Sequence, residues 1–337
     1  MNSEKYVEID HGTGAKLSHD IIKFITDTLG EAHIGEMEDS AIVPFTGNKV
    51  AITTDSYVVT PIIFGNGDIG KIAVCGTVND IAVSGAKPLY LTLAMILEVG
   101  FKFSELKTIV ESIRDTAIEA GVLIVAGDTK VVNKGEADKI FINTTGVGVL
   151  ERPELHSKDV KPGDKIILSG PIGNHSIHLL SIREGLGFET RVLSDCAPLN
   201  GVIEKLLTSK VGCNVRSIRD VTRGGLAELL QAYTSSTGYE VQIEESRLPI
   251  QFETVMAADM LGVDPIHLAN EGCMALFVSP ESADDVVLAL SKHEYTKDAV
   301  IVGEVTDVKA NKVTLITKEG NKQSILQLEG AELPRLC

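Results

Sequence analysis

The sequence predicts an α+β protein of two domains, and three observations carry that expectation. Its 337 residues suffice for two cores of ordinary size. Strand and helix patterns follow one another in mixed order, with adjacent strand pairs that a simple βαβ repeat does not produce. A polar stretch with two prolines, ERPELHSKDVKPGD at 151–164, separates two such runs and reads as a linker. Composition agrees with a globular chain, at 44% hydrophobic and 23% charged residues. Trp is absent and aromatics are scarce, so the cores must be built from Val, Ile, Leu and Ala.

Periodicity places the elements in order. Within residues 1–42, HGTGAKLSHDIIKFITDTLG opens on glycines and continues as an amphipathic helix. The first domain, residues 43–155, begins with the strand KVAITTDSYVV. An apolar helix follows over 69–84, stopped by Gly85 and Pro88. Then come the strand LYLTLAMIL, a helix over 104–121, and the strands VLIVAG and KIFINTTGVGVL. The second domain, residues 156–327, restarts with DKIILSG and continues with helices at 175–185, 199–209 and 225–235. Strand YEVQIEE, a helix at 252–261, strand CMALFVS, a helix from Ser282 and three terminal strands complete it. Periodicity stops at 328, so residues 328–337 read as an exposed, mobile tail ending in Cys337. Extended at about 3.3 Å per residue, residues 325–337 reach roughly 40 Å, enough to cross a domain.

The balance of 47 acidic to 31 basic residues gives a net charge of −16, which repels nucleic acid and anionic membranes. A phosphate ligand must then be held locally, by backbone amides or metal ions. The run LYLTLAMIL is too short to span a bilayer, and MNSEKYVEIDHGTG contains no apolar signal region. The expectation is a cytoplasmic protein with neither nucleic acid nor membrane as partner. The five cysteines, Cys75, Cys196, Cys213, Cys273 and Cys337, form no CxxC pair and are odd in number. Neither a zinc site nor a disulfide framework is indicated. Cys75 and Cys273 sit in apolar contexts and read as core residues.

The acidic residues suggest chemistry. Asp55 closes a strand, Asn79 and Asp80 lie in an apolar helix, Asp128 ends a strand, and Asp220 precedes a helix start. Carboxylates so placed suit Mg²⁺, which takes oxygen ligands and bridges to phosphate. The alternatives are capping and turn chemistry for Asp128 and Asp220, and a buried hydrogen bond for Asp80. His11-Gly12-Thr13-Gly14 and Arg223-Gly224-Gly225 precede helices, where backbone amides approach phosphate; each also fits an ordinary turn. Lys130, Lys134 and Arg223 are candidate cations toward transition-state charge. Glu271, between Asn270 and Gly272, is either a turn residue or a base facing a cleft. No HxH, HExxH or GxSxG pattern occurs among these residues.

Together, TTDSYVVTP, NGDIGKIAVCGTVNDIAVSGAKP, VAGDTKVV, FINTTGVG, RDVTRGG, ANEG and the terminal PRLC resemble the HypE hydrogenase maturation factors, a family of carbamoyl dehydratases. The resemblance runs from His11 to Cys337. TVNDIAVSGA and GDTKVV are similar to the wider aminoimidazole ribonucleotide synthetase-like superfamily, and the Cys-terminated tail marks the narrower family. The resemblance implies two α+β domains, N-terminal strands that form a homodimer, and ATP in the cleft between the domains. It implies that a carbamoyltransferase partner loads Cys337, that ATP activates the carbamoyl oxygen, and that a thiocyanate remains. The cyanide then goes to the iron of a nickel–iron hydrogenase through iron-carrying scaffold proteins. The implied Mg²⁺ ligands are Asp39, Asp55, Asp80, Asp128 and Asp220, with Asn79 as a further oxygen. Gly12, Gly14, Gly127, Asp128 and Lys134 are implied nucleotide contacts, Lys130 and Arg223 charge partners, and Glu271 the base. The chain departs from the family's Gly-rich start, with HGTGA where a last glycine is usual, and has GNHS at 173–176 in place of Gly-Asp-His-Gly. Two alternatives stand beside this one. A selenide water dikinase or thiamine-monophosphate kinase has no use for a terminal Cys. A non-enzymatic Cys-tailed carrier has no need of Mg²⁺–ATP.

Overall fold

The computed structural model describes residues 5–8, 11, 16–33, 45–46 and 49–326. They form two compact units. The first holds the chain up to Ile81 and Ala86–Glu151; the second begins at Arg152 and includes the short stretch Ala82–Gly85.

In the first unit α1 (Lys16–Leu29) places Ile21, Ile25 and Leu29 on one buried face, at the four-residue spacing of a helix, and packs on α3 (Phe103–Ala120). Helix α3 is amphipathic in the same way, burying Leu106, Ile109, Val110, Ile113 and Ala117, and ends on the left-handed Gly121. Helix α2 (Ile69–Val83) carries apolar residues on every face and is buried along most of its length. Its N-terminus follows a tight hairpin of β2 (Ile63–Phe64) and β3 (Gly67–Asp68), turned by Gly65-Asn66. Asp68 Oδ1 there accepts the amides of Gly70 and Lys71 at 2.8 and 3.0 Å, and burial pushes its carboxyl up. The sheet runs β1 (Lys49–Tyr57), β6 (Ile140–Leu150), β4 (Lys87–Glu98), β5 (Leu123–Val132), antiparallel except for the parallel pair β4 and β5. Alternate residues Leu91, Leu93, Met95 and Leu97 of β4 are buried, which fixes the face turned to the helices.

The second unit is built on a seven-stranded sheet in the order β13 (Lys322–Ile325), β12 (Val313–Ile316), β9 (Val241–Glu244), β11 (Val300–Val305), β7 (Lys165–Leu168), β10 (Met274–Val278), β8 (Val215–Asp220). Only β12 and β9 pair in parallel. Central strands β7 and β10 are apolar from Ile166 to Leu168 and from Met274 to Val278 because both faces are covered. Ile166, Leu168, Ala275 and Phe277 join a core with α6 (Gly225–Thr237); Ile167, Met274, Leu276 and Val278 join another with α5 (Asn200–Thr208) and α8 (Ala283–Leu290). Helices α4 (Asn174–Glu184) and α7 (Phe252–Leu261) enclose a small third cluster around Ile177, Ala257 and Leu268.

The expected elements are found in order. Two were absent from the sequence reading, the β2–β3 hairpin and strand β8. Asp55 and Asp128, expected at strand ends, lie inside β1 and β5. Both strands are templated by long neighbours, and the ladder carries each Asp along despite its poor strand propensity. No helix among the described residues is long and apolar enough to cross a membrane.

Candidate active site

In the first unit two carboxylates gather where α2 crosses the sheet. Thr53 and Asp55 are two residues apart on β1 and share the face turned to α2. Thr53 Oγ1 donates to Asp80 Oδ2 at 2.8 Å, and Thr77 Oγ1 donates to Asp55 Oδ2 at 3.2 Å. Thr77 and Asp80 are one helical turn apart, so helix and strand present matching Asp–Thr pairs. Thr77 is a hub, lying 2.6 Å from Thr144 Oγ1 on β6 and 3.2 Å from the Tyr57 hydroxyl. Glycine lets the helix come this close, since a Cβ on Gly146 of β6 would stand 2.7 Å from the Thr77 methyl and 2.6 Å from Ile81. On α2 Thr77 and Asn79 are deeply buried, at 0% and 2% exposure, whereas Asp80 is half-buried.

Asp128 belongs to the other side of the sheet. Cross-strand partners share a face, and Asp55 is in line with Thr144, Leu93 and Gly127. Asp128, one residue on, is in line with Ala94, Asn143 and Ser56 on the opposite face. Three strand spacings separate the β1 and β5 positions, roughly 14 Å at about 4.8 Å each. Asp128 is exposed and sits 3.7 Å from the equally exposed Lys130, a pair that contributes about 0–1 kcal/mol. Lys134 is exposed in the loop after β5, and Gly127 lies against the Leu93 carbonyl, 2.5 Å from where a Cβ would be. Among the described residues no three His, Cys, Asp or Glu side chains stand together as a metal cluster. The structure thus brings Asp55 and Asp80 together and leaves Asp128 on the far face.

In the second unit Asp220 ends β8, half-buried, opposite Met274 of β10. Arg223 is exposed in the following turn. Gly224 and Gly225 both take left-handed backbone, and a Cβ on Gly225 would meet the Ile266 carbonyl at 2.5 Å. Close packing therefore accounts for this glycine pair without a phosphate. Glu271 is 6% exposed in the turn entering β10. Its neighbour Asn270 ties three segments together, Oδ1 accepting from the Gly173 amide at 2.8 Å and Nδ2 donating to the Val221 carbonyl at 3.0 Å. Cys75, Cys196 and Cys273 are buried and Cys213 exposed. Burial pushes the Cys273 thiol up to about 12, which leaves it protonated and inert. Gly12, Gly14, Asp39 and Cys337 lie outside the described residues.

The sequence reading missed the threonines that orient the two carboxylates and the loop residue Asp195, whose two oxygens accept the amides of Glu271 and Gly272 at 3.1 and 3.2 Å. Thr53 was within reach of a period-two argument from Asp55. Asp195, in SDCAPLN, carried no signal.

Comparison with known proteins defines the class first. Residues 37–150 match the AIR synthase related protein, N-terminal domain, and residues 161–316 match its C-terminal domain. The chain is thus a tandem AIR synthase-related protein, in keeping with its two α+β units. It is 38% identical over 333 residues to the carbamoyl dehydratase HypE of Bradyrhizobium diazoefficiens (strain JCM 10833 / BCRC 13528 / IAM 13628 / NBRC 14792 / USDA 110), covering 98% of this chain and 96% of that one. The chain belongs to the HypE family of carbamoyl dehydratases. A crystal structure of hydrogenase maturation protein HypE in complex with ATP superposes with a TM-score of 0.92 at 38% identity, over 96% of this chain and 98% of that one. A HypE–HypF complex gives a TM-score of 0.79 at 44% identity, over 93% of this chain and 100% of the other.

Proposed function

We propose that this chain dehydrates a carbamoyl group held on its own Cys337, using ATP and leaving a thiocyanate as the source of cyanide for hydrogenase iron. The observation that carries the reading is family membership over 98% of the chain, joined to a cysteine at position 337. In the proposed reaction the carbamoyl oxygen attacks the γ-phosphorus of ATP and ADP leaves. The nitrogen gives up one proton, forming C=N. The C–O bond then breaks with phosphate as leaving group, the nitrogen gives up its second proton, and S–C≡N remains. The carbamoyl oxygen ends in phosphate, so the net change is loss of one water from the thiol adduct. Glu271 is our candidate acceptor for a nitrogen proton. Lys130, Lys134 and Arg223 are candidates to offset phosphate charge. Gly12 and Gly14 are candidate phosphate contacts, and Asp39 a candidate metal ligand.

The donor set fits Mg²⁺. Asp55 and Asp80 offer hard oxygens from facing elements, each hydrogen-bonded to a threonine hydroxyl of the other element. Mg²⁺ is commonly held by one or two carboxylates together with substrate phosphates, so a larger protein cluster is not required. When bound it would neutralise phosphate charge. Asn79, Asp128 and Asp220 remain candidates for the same role.

The partners we propose are a carbamoyltransferase maturation protein, an iron-carrying scaffold protein and a second copy of this chain. The HypE–HypF complex of a relative supports the first. An open sheet face in the first unit, where Val50, Ile52 at 69% exposure and Ile96 are presented to solvent by the described residues, supports the third. Asp128 lies on that face, apart from Asp55 and Asp80, which is where a second copy would meet it.

The test needs only this protein. The thiol is carbamoylated with cyanate in a Cys213→Ser background, Mg²⁺–ATP is added, and the mass of the C-terminal peptide is followed. Loss of one water that depends on ATP and is absent in Asp80→Ala is expected. A peptide that keeps its mass while ATP binds points instead to an enzyme acting on a free small molecule.

A further inference from the structure

The turn that carries Glu271 is held by a carboxylate well outside its motif. Asp195, in the loop between α4 and α5, engages both oxygens with consecutive backbone amides, those of Glu271 and Gly272. The loop has an anchor of its own. Ser194 Oγ is 2.8 Å from Nδ1 of the buried His175 and accepts from the Cys196 amide at 3.2 Å. Burial holds His175 down to about 3, with the His178 and Arg183 charges adding to the effect, so the ring stays neutral. The two loops meet backbone to backbone, and a Cβ on Gly272 would stand 1.8 Å from the Asp195 carbonyl oxygen. Asn270 fixes the other end of the turn through Gly173 and Val221. A buried carboxylate such as Glu271 points where its backbone sends it, and here that backbone is held from both sides.

We propose that Asp195 is a positioning residue for the dehydration, fixing the Asn270-Glu271-Gly272 turn so that the Glu271 carboxylate meets the substrate nitrogen. This rests on the reading of Glu271 as base. The proton passes from nitrogen to a Glu271 oxygen, and Asp195 takes none.

The experiment measures single-turnover loss of water from the carbamoylated full-length chain, beside Mg²⁺–ATP affinity. Asp195→Asn keeps one carbonyl acceptor but turns a donor toward a backbone N–H. It is expected to slow dehydration roughly 10- to 100-fold, with ATP affinity unchanged. In a Glu271→Gln background the same substitution should cost nothing further, because it acts through Glu271. A merely structural Asp195 would lower the rate equally in both backgrounds, and that result overturns the inference. A slow Glu271→Gln beside an Asp195→Asn of normal rate overturns the inference alone. A Glu271→Gln chain of normal rate overturns the base reading and the inference with it. Should Asp195→Asn fail to fold, amide exchange on the unaltered chain decides: protected Glu271 and Gly272 amides support the clamp, and exchange at open-loop rates refutes it.

Discussion

Thr77→Val removes one hydroxyl and preserves volume, so it isolates the hub beneath Asp55. Proton counting sets its consequences. Thr77 has one proton and donates it to Asp55 Oδ2, so it accepts from the Thr144 and Tyr57 hydroxyls, at 3.2, 2.6 and 3.2 Å. Valine removes the oxygen that both hydroxyls share. Thr144 has a second acceptor, the Ala73 carbonyl at 3.1 Å, and Tyr57 is itself buried. Valine removes the three hydrogen bonds of the Thr77 hydroxyl, each worth about 0.5–1.5 kcal/mol net. The expected destabilisation of the first unit is therefore about 2–4 kcal/mol by urea unfolding. Tyr57→Phe alone should cost about 1 kcal/mol. Combined with Thr77→Val it should cost less than the sum of the two single losses, because the bond between the two hydroxyls is lost only once. Additive losses would refute the hub. Since Thr77 also orients Asp55, the single variant should weaken Mg²⁺-dependent ATP binding about 10-fold by calorimetry. Unchanged binding would confine Thr77 to stability.

Three further outcomes are expected. Burial pushes Glu240 up, but hydrogen bonds from Thr314, Lys312 and Gln242 and the Lys312 charge outweigh it and hold the carboxyl at about 2. Its folded value lies below the usual 4.5, so its contribution, up to about 3 kcal/mol, is present above pH 4.5 and lost as pH falls toward 2; Glu240→Gln should flatten acid unfolding across that window. Under native conditions iodoacetamide should label Cys213 and leave Cys75, Cys196 and Cys273 unmodified by peptide mass, because only Cys213 of these is exposed. Gly272→Ala sets a methyl 1.8 Å from a backbone oxygen, and a drop in melting temperature of several degrees is expected by calorimetry; an unchanged value would mean that the loops part freely.

What the sequence made legible was whatever is written in a period. Helix α2 announces its burial by apolar residues on every face, and β7 and β10 announce two covered faces by the apolar runs Ile166 to Leu168 and Met274 to Val278. Strand β8 was hidden because Arg216 and Arg219 interrupt VRSIRD; it is an edge strand paired with β10 alone, so it tolerates them. The β2–β3 hairpin had a readable Gly-Asn turn and was still overlooked, being only two residues to a strand. Site residues divide along the same line. Asp55 and Asp80 are visible as carboxylates in apolar text, and one alternative weighed for Asp80, a hydrogen bond, is present in the link to Thr53.

Which carboxylates share a face was beyond reach, because it depends on register across four strands. One residue of β5 decides that Gly127, and not Asp128, is in line with Asp55. Asp195 was further out of reach, because a carboxylate spent on two backbone amides leaves no mark on its neighbours in the chain. Which side chains could serve as candidates was therefore partly readable, whereas the backbone contacts that aim them became visible only in three dimensions. If Asp195 governs the rate through Glu271, the reach of a motif reading in this family is limited at that point: ANEG names the base, and a loop about seventy-five residues earlier sets where it points.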